Sequence, residues 1–316
     1  MKILANDGIS QSGIDDLTAA GFEVLTTTVA QEQLENYINS ENIVALLVRS
    51  ATTVRQDLID ACPGLKIIGR GGVGMDNIDV EYAREKGLSV INTPAASSES
   101  VAELVFAHLF AGVRFLYDSN RTMPLEGESK FKNLKKAYAK GTELRGKTLG
   151  VIGFGRIGQA TAKMALGLGM KVLAFDPFLE KTTLSLSFYD GQTLDFEIKT
   201  VSKETVLKDA DFITLHVPAQ KDFVIGEAEF GIMKEGSALI NAARGGVVNE
   251  VALVEALNSN KLAFAGLDTF ENEPTPAVQI LMNPKISLTP HIGAATNQAQ
   301  DRIGSELASQ IISILK

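Results

Sequence analysis

The chain has 316 residues, enough for two domains, and with 45% hydrophobic and 22% charged residues it reads as an ordinary globular protein with a sizeable core. A net charge of −8 argues against non-specific nucleic-acid binding, and an anionic ligand would need local cations to overcome that field. The single cysteine, Cys62, excludes an intramolecular disulfide framework and fits a reducing, cytoplasmic setting, and the start, Met-Lys-Ile-Leu-Ala-Asn-Asp, lacks the apolar core of a signal peptide.

Apolar runs predict strands at residues 3–5, 24–26, 43–48, 66–69 and 89–92, with helices at 12–20, 31–40, 56–61 and 77–86 between them. Gly21, Gly64 and Gly87 terminate several of these segments. Such alternation implies a parallel, doubly wound α/β sheet. Val101, Leu104, Val105, Leu109, Val113 and Leu116 recur at helical spacing and predict one helix over about 99–121. Its most apolar part, 101–113, carries Glu103 and His108 and is too short and too polar to span a membrane, and His108 is read as a packing residue. Residues 122–146, with Lys130, Lys132, Lys135, Lys136 and Lys140, are expected to form an irregular basic loop.

Residues 148–158 read Thr-Leu-Gly-Val-Ile-Gly-Phe-Gly-Arg-Ile-Gly. An apolar strand runs into Gly153, Gly155 and Gly158 in the order G-x-G-x-x-G, a helical pattern follows, and a second strand at 171–175 ends at Asp176. That is a βαβ unit for a dinucleotide. Gly153 permits the tight turn, Gly155 lets a pyrophosphate approach the backbone, and Gly158 allows close helix–strand packing, while the helix N-terminus offers free N–H groups to the phosphates. Asp176 would accept from the ribose hydroxyls and repel a 2′-phosphate, which favours NAD over NADP. The bland alternative is a glycine-rich turn. The fingerprint lies mid-chain, after enough residues for a separate domain.

Beyond it, residues 185–188 and 194–198 flank Asp190-Gly191 in a hairpin pattern, and strands are expected at 212–217, 238–241, 263–266 and 286–288, with a helix over 294–315. Arg244, Asp268 with Glu273, and His291 follow three of these strands, and in a doubly wound sheet the C-terminal strand ends converge on the ligand crevice. For hydride transfer to a 2-keto acid, His291 suits the proton transfer, Glu273 would orient its ring, and Arg244 can grip a carboxylate with two parallel hydrogen bonds. The alternative is a surface arginine, a loop glutamate before proline and a capping histidine.

Five segments resemble the D-isomer-specific 2-hydroxyacid dehydrogenases: Val-Gly-Met-Asp-Asn (73–77), Val-Ile-Gly-Phe-Gly-Arg-Ile-Gly (151–158), Asn-Ala-Ala-Arg-Gly-Gly (241–246), Glu-Asn-Glu-Pro (271–274) and Pro-His-Ile-Gly (290–293). The resemblance implies Arg244, Glu273 and His291 as the catalytic set. It implies that the cofactor is lined by Arg156, Ile157, Val217, Pro218, Ala242, Ala243 and Gly293, with Asp268 at the nicotinamide carboxamide. It also implies a Rossmann NAD domain (98–291) inserted into a flavodoxin-like substrate domain (1–97 and 292–316), and a homodimer through the NAD domain or a higher oligomer. No metal is expected.

Leu-Val-Arg-Ser-Ala-Thr (47–52) and Gly-Arg-Gly-Gly-Val-Gly (69–74) resemble the substrate loops of family members that act on a phosphorylated acid. By that resemblance Arg49, Ser50, Arg70, Gly72, Val73, Gly74 and Asn77 bind substrate, and Lys135 or Lys136 lies where a partner subunit's phosphate is reached. The implied reaction is oxidation of D-3-phosphoglycerate to 3-phosphohydroxypyruvate, the opening step of serine synthesis. The alternatives are a glyoxylate or hydroxypyruvate reductase, a D-lactate dehydrogenase, or, remotely, an NADH-sensing corepressor-like protein. Two departures stand out. Segment 181–200 is longer than the family pattern, and no residues follow 316 to form a serine-binding regulatory domain, so serine inhibition through one is not expected.

Overall fold

The computed structural model describes residues 1–316. They form two compact units: residues 1–100 with 294–316, and residues 101–293. The boundaries fall a few residues beyond the expected 97/98 and 291/292.

In chain order the first unit contains β1 (Lys2–Ala5), α1 (Gln11–Ala19), β2 (Glu23–Leu25), α2 (Leu34–Glu41), β3 (Ile43–Val48), α3 (Gln56–Ala61), β4 (Ile67–Arg70), α4 (Val80–Glu85) and β5 (Ser89–Asn92). The second contains most of α5 (Ser98–Val113), then α6 (Leu116–Ala137), β6 (Thr148–Ile152), α7 (Arg156–Gly167), β7 (Lys171–Phe175), β8 (Lys181–Ser187), β9 (Thr193–Lys199), α8 (Lys203–Asp209), β10 (Phe212–Leu215), α9 (Glu227–Ile232), β11 (Ser237–Asn241), α10 (Glu250–Asn258), β12 (Leu262–Leu267), α11 (Val278–Leu281) and β13 (Ile286–Leu288). The chain closes on α12 (Asn297–Leu315), which belongs to the first unit.

The first unit is a five-stranded parallel sheet in the order β2-β1-β3-β4-β5, the flavodoxin-like winding. Leu34, Ile38, Leu58 and Ile59 pack one face, and Leu17 with Ala308 and Ile311 of α12 packs the other. The last helix joins this unit through a glycine crossing. A Cβ on Gly13 of α1 would lie 2.9 Å from the Gly304 backbone of α12, so the two helices can touch only where both lack side chains.

The second unit is a six-stranded parallel sheet in the order β13-β12-β11-β10-β6-β7. Its strands are buried on both faces, which is why they read as unbroken apolar runs. On β10, Ile213 and Leu215 face α8, α9 and α10, while Phe212 faces the side of α5 and α7. Truncating a fully buried member such as Leu239 to alanine would cost roughly 2–5 kcal/mol. The antiparallel pair β8–β9 forms a separate ribbon after β7, turning at Gly191 (φ 85°), with Leu184 and Leu186 buried beneath it.

Two sequence expectations fail. The helix over 99–121 is broken between α5 and α6 at Phe115, whose φ is 56°. Residues 122–137 are not an irregular loop but the body of α6, with Pro124 inside it and a local departure at Lys130. Lys135 and Lys136 therefore sit on its last turn. No single helix is long and apolar enough to cross a membrane. The pair α5–α6 reaches that length and apolarity only across a 55° bend, and α5 buries Val105, Phe106 and Leu109 in the second unit's core.

Candidate active site

The C-terminal edge of the six-stranded sheet collects the candidate residues in strand order. His291 follows β13, Asp268 and Glu273 follow β12, Ala242, Ala243 and Arg244 follow β11, Val217 and Pro218 follow β10, Gly153 follows β6, and Asp176 follows β7. Glu273 and His291 thus stand at one end of the edge and the fingerprint at the other.

At the fingerprint, Gly153 has φ 91° and a Cβ there would meet the His216 carbonyl oxygen at 2.5 Å, so only glycine fits. A Cβ on Gly158 would collide with the Gly153 carbonyl, which sets α7 tight against its strand. Around Gly155, by contrast, a Cβ would meet nothing within 4 Å. That open space sits at the N-cap of the twelve-residue α7, where the N–H groups of Arg156 and Ile157 lie in its first turn. A close-packed turn, an open position and a helix N-terminus together fit a pyrophosphate. Asp176 is already engaged: Oδ2 accepts from Phe154 N–H at 2.8 Å and Oδ1 from Phe178 N–H at 2.9 Å. The acid therefore shapes the fingerprint turn. His216, just after β10, keeps its Nδ1 buried without a partner, and burial pushes the ring's pKa down to about 3.

At the other end, His291 Nδ1 and Glu273 Oε2 are 2.8 Å apart. An ionised carboxylate only accepts, so Nδ1 carries the hydrogen and Nε2 is left as the nitrogen for chemistry. Glu273 is held in turn, its Oε1 accepting from Phe270 N–H at 3.0 Å. The pair is roughly two-fifths exposed, so it contributes little to stability. His291 has φ 54°, a left-handed conformation that β13 and its loop must impose at a cost of about 1–2 kcal/mol. Arg244 belongs to a turn that Asn241 fixes, since Asn241 Nδ2 donates to the Arg244 carbonyl at 2.9 Å and its Oδ1 accepts from Ala243 N–H at 3.1 Å. Gly245 lies against the Phe270 carbonyl so closely that any Cβ would overlap it, and this brings the Arg244 turn onto the Glu273 turn.

Asp268 is 1% exposed. It accepts from Thr289 Oγ1 at 2.6 Å, from Ile292 N–H at 2.8 Å and from Gly293 N–H at 2.8 Å. His108 is not merely packing: Nδ1 lies 2.8 Å from Ser287 Oγ and Nε2 lies 3.1 Å from Thr289 Oγ1. The alternation Ser-Leu-Thr at 287–289 puts both hydroxyls on one face, the one signal in the sequence that a polar partner sits opposite.

The first unit holds the remaining candidates. Arg49 follows β3 and Arg70 ends β4, with Val48 and Arg70 in register, so the two arginines leave adjacent strands at the same edge. The Arg70 guanidinium folds over Gly72, occupying the space a Cβ there would need. Asn77 Nδ2 donates to the carbonyls of Arg49 and Thr52 at 2.7 and 2.6 Å, closing the loop that carries Ser50. Asn92 holds the Val73 carbonyl at 2.7 Å, next to Gly74. Sequence reasoning missed Asp7. Its carboxylate accepts from Arg49 N–H at 2.6 Å and from Thr52 N–H and Oγ1 at 3.1 and 2.6 Å, building the same loop from the end of β1. Cys62 is buried, and burial pushes its thiol up to about 11, so it is an inert core residue.

A Rossmann sheet with this fingerprint and a glutamate–histidine pair on one edge defines a nicotinamide-dinucleotide domain. The chain belongs to the D-isomer specific 2-hydroxyacid dehydrogenase family, whose NAD binding domain matches residues 106–293, and NAD is its cofactor. It is 40% identical over its whole length to a D-3-phosphoglycerate dehydrogenase of Methanocaldococcus jannaschii, 58% of which it covers. It is 43% identical over 93% of its length to a hydroxypyruvate reductase of Thermotoga maritima, 91% of which it covers. A glyoxylate reductase structure from Paecilomyes thermophila superposes on all of this chain and 95% of its own with a TM-score of 0.81 at 28% identity. The chain spans about half the length of the curated D-3-phosphoglycerate dehydrogenases it matches.

Proposed function

We propose that the chain oxidises D-3-phosphoglycerate to 3-phosphohydroxypyruvate with NAD. The observation that carries this reading is that Arg49, just after β3, and Arg70, paired with Val48 at the end of β4, leave adjacent strands at the same edge of the sheet, two cations in a chain of net charge −8. A phosphate dianion is the ligand such a pair suits, and Arg244 suits a carboxylate. His291 Nε2 receives the hydroxyl proton, Glu273 stabilises the imidazolium that results, and in the reverse direction the same proton returns to the alkoxide. The nicotinamide, when bound, supplies the hydride acceptor. Gly153, Gly155, Arg156, Ile157 and Gly158 hold the pyrophosphate, and Asp176 holds the ribose. Val217, Pro218, Ala242, Ala243, Asp268 and Gly293 line the nicotinamide half.

Hydroxypyruvate reduction is the second reading, favoured by the identity to the Thermotoga enzyme over nearly the whole of both chains. Further proposals are a cytoplasmic setting, a place in serine synthesis and a homodimer through the NAD-binding domain. For the last, the support is that α6 carries several exposed apolar side chains, Leu116, Met123, Leu125 and Phe131. The test of the reaction class is NADH formation with a set of D- and L-2-hydroxy acids. Reduction of NAD by D-3-phosphoglycerate and not by L isomers supports it, and silence with every D-2-hydroxy acid overturns it.

A further inference from the structure

The buried polar chain behind His291 admits only one arrangement of hydrogens. Thr289 has a single hydroxyl proton, and at 2.6 Å from Asp268 Oδ1 that proton is committed to the carboxylate, which can only accept. Thr289 Oγ1 is then an acceptor towards His108 Nε2 at 3.1 Å, so His108 carries its hydrogen on Nε2. Its bare Nδ1 accepts the Ser287 hydroxyl at 2.8 Å. Burial lowers the proton affinity of the His108 ring, against the opposing pull of Asp268, which favours the neutral form. Every polar atom in the chain from Ser287 to Asp268 is satisfied by this tautomer, whereas the Nδ1–H form would set two lone pairs against each other between His108 and Thr289.

The chain ends on the loop that presents His291. Asp268 takes the Thr289 hydroxyl on one side of His291 and the Ile292 and Gly293 amides on the other. One carboxylate therefore clasps both flanks of a residue held at φ 54°. The fold makes room for the far end of the chain: a Cβ at Gly266 on β12 would fall 2.7 Å from the His108 Cβ. We propose that His108 is a positioning residue for His291. Its Nε2–H bond fixes the Thr289 hydroxyl on Asp268, and Asp268 fixes the backbone that aims the His291 ring at substrate. The inference rests on His291 as the proton carrier, but the tautomer that underlies it does not.

The chain has three histidines, so 15N-labelled histidine gives three ring systems, assignable by single substitutions. The expected result is a His108 ring in the Nε2–H form, unchanged between about pH 6 and 8, whose Nε2 signal moves in T289V. In turnover, H108L should lower kcat by about tenfold with NADH affinity unchanged. H108Q, whose amide can replace the Nε2–H donor, should recover most of that loss, and H108L/T289V should be no slower than T289V alone. An Nδ1–H ring, a ring that titrates in that range, or an H108Q enzyme as slow as H108L overturns the proposal. Should H108L fail to fold, the wild-type spectrum and H108Q still decide it. Full activity in H291A would instead overturn the assignment of His291 and leave the tautomer result standing.

Discussion

Glu273 accepts two hydrogen bonds at once, from His291 Nδ1–H through Oε2 at 2.8 Å and from Phe270 N–H through Oε1 at 3.0 Å. An amide cannot do both. In E273Q, either the Phe270 amide loses its acceptor or the side-chain NH2 faces His291 and forces the hydrogen onto Nε2, the nitrogen needed bare for oxidation. E273Q should therefore lose about 10²–10³-fold in kcat for oxidation with little change in NADH affinity, and H291A at least about 10²-fold. Steady-state kinetics with a binding titration checks this, and loss of NADH binding in either variant would mean that the pair is structural.

Asp176 has two roles that one substitution separates. D176A should erode the preference for NAD over NADP, since the ribose acceptor and the repulsion of a 2′-phosphate go together. It should also destabilise the domain by about 1–3 kcal/mol, because the Phe154 and Phe178 amides lose their acceptor. An unchanged ratio of kcat/KM for the two cofactors would remove the ribose role and leave only the turn.

Asp7 builds the Arg49 loop without reaching for a ligand itself. D7A should raise KM for a phosphorylated substrate several-fold at nearly constant kcat, and lower stability by about 2–3 kcal/mol as three donors lose their shared carboxylate. Equal loss of kcat and kcat/KM would place Asp7 in the chemistry instead.

The buried histidines make the protein sensitive to acid. His216 falls from 6.5 to about 3 because its ring is desolvated, and His108 shifts the same way. Above pH 6.5 both are neutral whether folded or not. Below it the unfolded chain takes up protons that the folded chain refuses, so stability falls with pH by up to about 1.4 kcal/mol per unit for each ring, for His216 down to about pH 3. Glu250, raised by burial, works in the opposite direction, so the comparison must isolate the histidine. Urea midpoints at pH 7 and 5.5 should separate by less in H216N than in wild type. Equal separations would contradict the shift.

Most strands were legible because each is a short apolar run buried on both faces, and the limits of β3, β5, β7 and β13 follow directly from residues 43–48, 89–92, 171–175 and 286–288. The break at Phe115 was not, because the heptad-like apolar spacing continues through it. What stops the helix is tertiary: the Phe115 ring packs at 5.9 Å on Tyr138, and Thr142 N–H bonds back to the Val113 carbonyl. The basic stretch 122–137 lacked a clear apolar stripe and was expected to be irregular, yet it forms the body of α6 with Pro124 inside it. At the candidate site, the places of Arg244, Glu273 and His291 after their strands were readable from the sequence, and the structure joins Glu273 to His291. Asp7 and His108 were not, since their partners lie far along the chain and only the sheet brings them together.

The central claim, that the substrate carries a phosphate read by Arg49 and Arg70, is tested most directly by kcat/KM for 3-phosphohydroxypyruvate against hydroxypyruvate with NADH, in wild type and in R49A/R70A. Lost charge-assisted contacts of about 1.5–3 kcal/mol each should make the wild-type ratio at least about 10² and collapse it in the double variant. A wild-type ratio below about fivefold would contradict the claim and identify the chain as a reductase of unphosphorylated acids.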